Sequence, residues 1–186
     1  MAAREGIYLG IGANLPAVGY DSAAATCQAA IRRLDGLPAL TVTAVSRWYR
    51  SAPVPVADQP WFINAVLAVE TTVPPAALLA ELHAVEDQFG RVRQVRNEAR
   101  VLDIDLLDYR GQVSNAARVG AAAAPILPHP RMDARAFVLL PLRELAPTWR
   151  HPVRGLEIDA LIAALPADQE IQLDEASATN STHTGV

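Results

Sequence analysis

Short apolar and β-branched runs alternate along the chain with stretches that carry helical start and stop signals. Four runs have the apolar, β-branched and aromatic content that is typical of strands: Ile7–Ile11, Thr41–Arg50, Phe62–Thr71 and Val101–Tyr109. The first run leads into Gly12-Ala13-Asn14, which predicts a turn directly after a buried strand. We therefore expect these four segments to form the sheet of the protein.

Helices are predicted between and after these strands. They run from a cap at Asp21 or Ser22 to about Leu34, from Pro74 and Pro75 to Gly90, over Met132–Leu145, and over Leu156–Leu165. The second helix has the proline start and glycine stop that helices favour. Pro141 is expected to kink or break the third helix, because proline lacks the N–H that a helix interior needs.

The order β-α-β-β-α-β, followed by helices, predicts an α+β fold. It indicates a ferredoxin-like core, with helices packed on an antiparallel sheet and extra C-terminal helices. We expect a single domain over residues 1–175, and residues 176–186 are small and polar, which predicts a disordered tail. Ser51–Pro60 contains three prolines and is predicted to be a loop, as are polar Arg91–Arg100 and most of Gly111–Pro130.

Composition and charge narrow the class of protein. A chain of 186 residues that is 51% hydrophobic fits one globular domain, and a net charge of −4 argues against a general nucleic-acid binder. No apolar run has the length of a membrane span, and the N-terminus lacks the pattern of a signal peptide. Cys27 is alone, which excludes an internal disulfide and suits a reducing compartment. We expect a cytoplasmic protein, and a monomer.

The chain contains no lysine, so all 16 of its basic residues are arginines. A GC-rich genome would produce the same bias, but the chemical consequence holds either way. A P-loop and a lysine Schiff base are both excluded. If the protein binds phosphate through cationic side chains, arginine must do so, by planar bidentate contacts.

Two acids stand two residues apart in the last predicted strand. Because strand side chains alternate, Asp103 and Asp105 face one side of the sheet, and Leu102, Ile104 and Leu106 face the other. Carboxylates about 6.5 Å apart could hold two divalent ions about 3.5–4 Å from each other, the spacing used in phosphoryl transfer. An ordinary solvated strand face would have the same pattern.

Four arginines directly precede this acid pair: Arg91, Arg93, Arg96 and Arg100. Beside two metal-binding acids, they would form a clamp for a polyphosphate with its magnesium ions. A solvated loop is the alternative, with Arg91 complementing the C-terminus of the preceding helix. That alternative accounts for Arg91 but not for the other three.

Two further segments have side chains suited to a flat ligand or a nucleotide. Phe62 and Asn64 share one strand face, which places an aromatic ring beside an amide that can bond the edge of a heterocycle. His129 is held between two prolines, and Arg131, Arg135 and Phe137 follow it. A core phenylalanine and an exposed loop histidine are the simpler interpretations. The other histidines lack the spacing of a zinc site.

Taken in order, these features resemble the hydroxymethyldihydropterin pyrophosphokinase family from about Ile7 to Pro147. The matching pieces are Gly12-Ala13-Asn14, Tyr49-Arg50-Ser51, Asp58-Gln59-Pro60, Phe62-Ile63-Asn64-Ala65, Gly90-Arg91-Val92-Arg93, Arg100-Val101-Leu102-Asp103-Ile104-Asp105-Leu106-Leu107, Pro128-His129-Pro130-Arg131 and Arg135-Ala136-Phe137-Val138-Leu139. Each piece alone is weak, but the ordered set is specific. The resemblance implies a ferredoxin-like fold and transfer of pyrophosphate from ATP to the pterin hydroxymethyl oxygen, with release of AMP.

The resemblance also implies roles for particular residues, carried over by position. Asp103 and Asp105 would bind two Mg²⁺ ions that arrive with ATP and would be catalytic together with Arg91 and Arg100, which hold the phosphates. The pterin would lie against Phe62 and Phe137 and bond to Asn14, Asn64 and groups near Ser51, Ala52 and Val54. ATP would also meet Arg93, His129 and Arg135. The loops Ser51–Pro60 and Arg91–Arg100 match the mobile lids of the family.

The chain departs from the family pattern in the second of these loops. The family often has Arg-Trp-x-Pro-Arg before the last strand, whereas this chain has Arg96-Asn97-Glu98-Ala99-Arg100. The aromatic residue that helps to close the site is therefore replaced by Asn97. Arg118, in an alanine-rich loop, is left without an assigned role.

Two other functions use a similar pattern. RNA-binding modules of the RRM type share the β-α-β-β-α-β order, but they carry aromatic residues at their RNP motifs and usually a basic sheet face. The last core strand of this chain instead carries two acids, which would repel phosphate in the absence of metal. A metal-dependent phosphohydrolase would use the same acids and release phosphate without a pterin.

Overall fold

The computed structural model describes residues 6–53, 58–91, 99–114 and 125–175. Its strands are β1 (Ile7–Ala13), β2 (Leu40–Val45), β3 (Tyr49–Ser51), β4 (Phe62–Thr71), β5 (Asp103–Tyr109) and β6 (Ile171–Leu173). Its helices are α1 (Ala23–Asp35), α2 (Pro75–Gln88), α3 (Ala136–Leu145) and α4 (Ile158–Ala163), and a 3-10 turn spans Met132–Ala134. Within the described ranges, none of the helices has both the length and the apolar character needed to cross a membrane.

The strands form one antiparallel sheet in the order β5-β1-β4-β3-β6, and β2 also pairs with β4. β1 lies between β4 and β5, so Gly12 is opposite Asn64 on one side and Asp103 on the other. Helices pack on this sheet, which confirms the predicted α+β class. The register brings the acid pair of β5 and the amide of β4 to the same end of the sheet.

The two faces of the sheet bury different cores. On one face, Leu9 and Ile11 pack with α1 and α2 in a cluster that contains fully buried Leu34 and Leu82. The alternate residues of the same strands, among them Tyr8, Val66 and Leu107, pack with α3, α4 and Trp149. Burying each large aliphatic side chain contributes about 1.5–3 kcal/mol, so both layers hold the sheet rigid beneath the site.

The predicted ends of α1 and α2 are confirmed. The Ser22 hydroxyl accepts a hydrogen bond from the Ala25 N–H at 3.1 Å, so Ser22 and not Asp21 is the cap of α1. Pro75 opens α2, and Gly90 follows its end with φ of +81°. This left-handed conformation favours glycine, which explains why the helix stops there.

The prediction of one strand over Thr41–Arg50 is wrong, because β2 and β3 are separate strands along the same edge of β4. β2 pairs with residues 67–71 and β3 with residues 62–64. Between them, the Ser46 hydroxyl accepts the Val66 N–H at 2.9 Å, and the Arg47 N–H donates to Glu144 on α3. The Ser46 N–H still donates to the Val66 carbonyl at 2.9 Å, but the Val66 N–H bonds to a side chain and not to a backbone carbonyl, which periodicity alone could not indicate.

The prediction of an unbroken helix over Met132–Leu145 is also wrong, but the interruption is at Arg135. α3 begins at Ala136 and continues through Pro141 to Leu145. The missing N–H of Pro141 removes one bond, to the Phe137 carbonyl, and Pro141 is itself buried. Packing of this apolar face holds the helix together across the proline. The short strand β6, which pairs with β3, was not predicted at all.

Candidate active site

A cleft opens on the α3 side of the sheet, at the end where β1, β4 and β5 present their polar residues. Its volume is about 770 Å³, including the solvent space at its mouth. The side chains and backbone that line it are Gly10, Ile11, Gly12, Ser51, Ala52, Gln59, Phe62, Asn64, Ala65, Arg100, Asp103, Asp105, Leu107, Arg135, Phe137 and Val138. Most of the residues predicted from the sequence to form the site are therefore brought together.

One half of the cleft is flat and largely apolar. Phe62 at the start of β4 and Phe137 in the first turn of α3 both line it. Between them, the Asn64 amide donates to the Ser51 hydroxyl at 2.9 Å, and both side chains are buried. This half offers ring surfaces together with one oriented amide, which suits a planar heterocycle.

The floor beside Asn64 requires glycine. A Cβ added at Gly12 would lie 2.7 Å from the Asn64 side-chain oxygen and 3.3 Å from the Ile63 carbonyl oxygen. The first distance is shorter than any real contact of this kind, so a larger residue would displace the amide. The absence of a side chain at Gly12 therefore leaves room for the Asn64 amide to lie over β1.

The other half of the cleft contains the acid pair and its cations. The carboxylate of Asp103 accepts from Arg91 at 2.6 Å and also from Arg100. Asp105 faces His129 and Arg135, whose nitrogens each lie 3.9 Å from its oxygen. Asp103 is thus tightly paired, whereas the cations nearest to Asp105 are beyond hydrogen-bonding distance.

The two acids differ in their electrostatics as well. Burial raises the pKa of Asp105, and the neighbouring charge of Asp103 raises it further. Burial lowers the pKa of His129, and the attraction of Asp105 offsets this only in part, so the neutral imidazole is favoured. An added cation bound beside Asp105 would relieve the repulsion between the carboxylates of Asp103 and Asp105.

The donor set fits magnesium better than a structural metal. Among the described residues, no group of three or more histidine, cysteine or acidic side chains is arranged to hold a metal ion. Magnesium usually keeps several waters and binds through one or two carboxylates plus the phosphates of a substrate. Asp103 and Asp105 provide that number of protein ligands at the edge of the cleft.

Asn14 lies behind the wall of the cleft and ties two loops to the end of β1. Its amide nitrogen donates to Gln59 at 3.2 Å and to the Pro60 carbonyl at 3.0 Å. Its side-chain oxygen accepts the Arg100 N–H at 2.7 Å. These contacts occupy the polar atoms of an almost fully buried side chain. The structure therefore places Asn14 in a supporting position and not among the lining residues.

The other residues that the sequence predicted for the site lie at the edge of the cleft, in its wall, or outside the described residues. Arg91 and His129 are at the edge, joined to the acid pair. Ala52 lines the cleft, but its N–H donates to the Glu170 carbonyl at 3.0 Å. Residues of the two expected lids and of the alanine-rich loop lie outside the described ranges: Val54, Arg93, Arg96, Asn97 and Arg118.

Two residues of the site were missed by sequence reasoning. Gln59 lines the cleft and bonds to Asn14. Glu86 on α2 has no exposed surface, and its carboxylate accepts from Arg91 and from the Ile104 N–H at 2.7 Å. The only local signal for Glu86 is an acid one turn before Gly90, with an arginine directly after that glycine.

The chain is similar to known proteins over most of its length. A family model described as 7,8-dihydro-6-hydroxymethylpterin-pyrophosphokinase matches residues 8–147. A 2-amino-4-hydroxy-6-hydroxymethyldihydropteridine pyrophosphokinase from Pseudomonas aeruginosa is 39% identical over 160 residues, which cover 86% of this chain and 91% of the relative.

Two further relatives carry the same name. The protein from Methylorubrum extorquens is 39% identical over 140 residues, which cover 75% of this chain and 82% of the relative. The protein from Synechocystis is 36% identical over 158 residues, which cover 85% and 75% of the two chains. The chain therefore belongs to the 7,8-dihydro-6-hydroxymethylpterin-pyrophosphokinase family.

Proposed function

We propose that this chain transfers the pyrophosphoryl group of ATP to the hydroxymethyl oxygen of 6-hydroxymethyl-7,8-dihydropterin, giving AMP and the pterin diphosphate for folate biosynthesis. Membership of the family gives the reaction, and the chain is a transferase. One observation supports the roles proposed for the residues. The same cleft has a flat aromatic half and a second half that contains two acids and several arginines.

The flat half is assigned to the pterin. Phe62 and Phe137 would cover the two faces of the ring, because aromatic stacking and burial favour a planar ligand. Asn64, held by Ser51 at 2.9 Å, would bond to the ring edge with an amide whose orientation is already fixed. Ala52 also lines the cleft. This arrangement leaves the hydroxymethyl group directed toward the acids of β5.

The charged half is assigned to the triphosphate. Arg91 and Arg100 already hold one anion, the carboxylate of Asp103. An incoming phosphate can take the place of that carboxylate, because guanidinium groups bind both anions in the same bidentate manner. His129 and Arg135 would contact ATP from the α3 side of the cleft, next to Asp105.

Asp103 and Asp105 would hold Mg²⁺, and two ions are part of this proposal. Magnesium at this position supplies positive charge to the phosphate oxygens of ATP during transfer. Asp103 is now paired with Arg91 and Arg100, and it would become free to bind Mg²⁺ once these arginines bind the phosphates of ATP. The repulsion that raises the pKa of Asp105 would be relieved at the same time.

The chain itself contributes position and charge to the reaction. The hydroxymethyl oxygen would form a bond to the β-phosphorus and release its proton to solvent, while the bond from that phosphorus to the α,β-bridging oxygen breaks in line and that oxygen leaves with AMP. Arg91 and Arg100 stabilise the charge on the transferred group, and the cleft walls hold the reacting oxygen in place. Asn14, behind the wall of the cleft, holds the ends of the two loops together.

A coupled assay for AMP tests the proposal. AMP should form only when ATP, magnesium and the hydroxymethyl pterin are all present, and adding EDTA should stop its formation. Phosphate release without the pterin would instead support the phosphohydrolase alternative, and retention on single-stranded RNA at low salt would support a nucleic-acid-binding module.

The proposal includes a cytoplasmic location and a monomeric state. Cys27 is a buried free thiol, which is compatible with a reducing compartment. Among the described residues, the exposed large hydrophobic side chains are distributed over separate parts of the chain, as in Val18, Val113 and Val153. Sedimentation of the purified protein at two concentrations tests the monomeric state.

A further inference from the structure

Glu86 is a fully buried acid at the centre of contacts between α2, the arginines and β5. Its carboxylate accepts a hydrogen bond from the Ile104 N–H at 2.7 Å. The same oxygen is paired with the Arg91 guanidinium. A carboxylate without exposed surface is expensive to bury unless its partners satisfy it, so these contacts must be kept for the fold to tolerate Glu86.

The end of α2 brings Glu86 and Arg91 together. The Gly90 N–H donates to the Asp87 carbonyl at 3.0 Å, and the Arg91 N–H donates to the Glu86 carbonyl at 3.2 Å. These two bonds, with Gly90 at positive φ, form a Schellman motif. In most such motifs the residues at the positions of Glu86 and Arg91 make a hydrophobic contact. Here they form a buried ion pair.

The contact with β5 places Glu86 between the two acids of the site. β5 is at the edge of the sheet, so its alternate N–H groups face away from β1. Glu86 bonds to one of them, at Ile104, which separates Asp103 from Asp105 along the strand. One carboxylate therefore connects the first arginine of the loop to the segment that carries both acids.

Asp103 could not keep Arg91 in position throughout the proposed reaction, because Asp103 is also proposed to bind magnesium. In this structure Arg91 is shared between Glu86 and Asp103. If Asp103 is to hold magnesium, Arg91 would have to exchange that carboxylate for a phosphate of ATP. Without Glu86, Asp103 would be the main anionic partner of Arg91, and a phosphate would have to displace Asp103 in order to bind Arg91. With Glu86, the guanidinium keeps one partner and its place.

We propose that Glu86 is a positioning residue, which fixes Arg91 and the acid-bearing part of β5 so that Arg91 can exchange Asp103 for a phosphate of ATP. The inference rests on the proposed function of the cleft. Residues that orient the groups in contact with a metal or phosphate commonly change affinity or activity by about 10–100-fold when they are replaced.

The test is Glu86→Gln, which keeps the size of the side chain and its bond from Ile104 but removes the charge that Arg91 meets. We expect about a tenfold weaker calorimetric affinity for a non-hydrolysable ATP analogue with Mg²⁺, and about a tenfold lower kcat. The KM for the pterin should stay within about twofold of the wild-type value.

Asp108→Asn is the matched control. Asp108 is the buried acid at the other end of β5, where it accepts from the Trp149 indole at 2.7 Å and from the Gly111 N–H. Its replacement should lower the melting temperature but leave the affinity for the ATP analogue unchanged. A loss of ATP affinity that follows from instability alone would appear in this variant too.

The double variant Glu86→Gln/Arg91→Gln completes the test. Because Glu86 is proposed to act through Arg91, the double variant should bind the ATP analogue no more weakly than Arg91→Gln alone. The double variant also removes both charges of the buried pair, so it remains informative if Glu86→Gln folds poorly. Wild-type affinity in Glu86→Gln, or a further loss in the double variant, would overturn the inference. An inactive wild-type enzyme would instead refute the proposed function, so the two failures are distinguishable.

Discussion

The two acids of β5 should contribute to stability with opposite signs in the metal-free protein. Asp103 is paired with Arg91 and Arg100. Asp105 is destabilised by burial and by repulsion from Asp103, and its nearest basic side chains, those of His129 and Arg135, are 3.9 Å away. Replacing each in turn by asparagine removes one charge with little change of shape. Asp103→Asn loses two ion pairs, but Asp105→Asn relieves the burial of a charge and its repulsion by Asp103.

The magnitudes follow from the geometry. The hydrogen bonds of Asp103 are charged but partly exposed, so their loss should cost about 1–3 kcal/mol in total. Two charges about 6.5 Å apart repel by about 2.5 kcal/mol at an effective dielectric of about 20. The acids are 20% and 34% exposed, and His129 and Arg135 attract Asp105, which reduces the expected gain in Asp105→Asn to about 0.5–1 kcal/mol.

The assay is urea denaturation in low salt with EDTA, at about pH 7, where both acids are ionised in the unfolded chain. Asp168→Asn is the control, since Asp168 is exposed and does not line the cleft, and it should change the free energy of unfolding by less than about 0.5 kcal/mol. Both site variants should lose more than about a hundredfold in kcat. If Asp105→Asn destabilised the protein as much as Asp103→Asn, the paired and unpaired roles assigned to the two acids would be wrong.

Three further substitutions test other parts of the account. Arg100→Ala should lower kcat by about 10²–10³ with little change in the KM for the pterin, because its charge acts on the transferring group; steady-state kinetics with an unchanged kcat would contradict this. Asn64→Ala should raise the KM for the pterin by about tenfold and alter kcat less, since the amide acts on binding, and the reverse pattern would contradict it. Glu144→Gln should destabilise the protein at neutral pH. Burial by itself raises the pKa of Glu144, but hydrogen bonds from Tyr49 and Arg47 hold it below its ordinary value of 4.5. Such a carboxylate adds stability above the unfolded pKa and loses it as the pH falls through the folded pKa, so urea melts of the two proteins should converge in acid, and an equal difference at about pH 7 and about pH 3 would count against the assignment.

The sequence was informative where one periodicity ran through a whole element. The apolar run at Ile7–Ile11 and the alternation of β5 were sufficient to predict two strands and the shared face of Asp103 and Asp105, although the pairing of these strands is seen only in the structure. The proline and glycine at the ends of α2 predicted its limits. These features are local, so they can be read without knowing what packs on them.

The rest depends on contacts between distant parts of the chain. The break between β2 and β3 arises because Ser46 bonds to Val66, twenty residues away, and because Arg47 bonds to Glu144. Strand β6 has three residues and no periodic signal of its own. Tertiary partners decide such positions, and local propensity does not contain them.

The same limit applies to the site. Several lining residues of β4, β5 and α3 were predicted from motif order. Asn14, which the resemblance assigns to the pterin, bonds to the ends of two loops, and only the tertiary structure reveals those contacts. Glu86 could not be recognised as a buried partner of Arg91, since an acid near the end of a helix is usually exposed. Only the turn at Gly90 brings the two charges together.

The central claim is that this cleft moves a pyrophosphoryl group as one unit from ATP to the pterin. The most direct measurement is mass spectrometry of the products after incubation with ATP, Mg²⁺ and 6-hydroxymethyl-7,8-dihydropterin, for wild type, Asp168→Asn and Asp105→Asn. The account predicts AMP and pterin diphosphate in equal amounts from the first two proteins and neither product from Asp105→Asn. ADP with a pterin monophosphate, phosphate released without the pterin, or full activity in Asp105→Asn would contradict it.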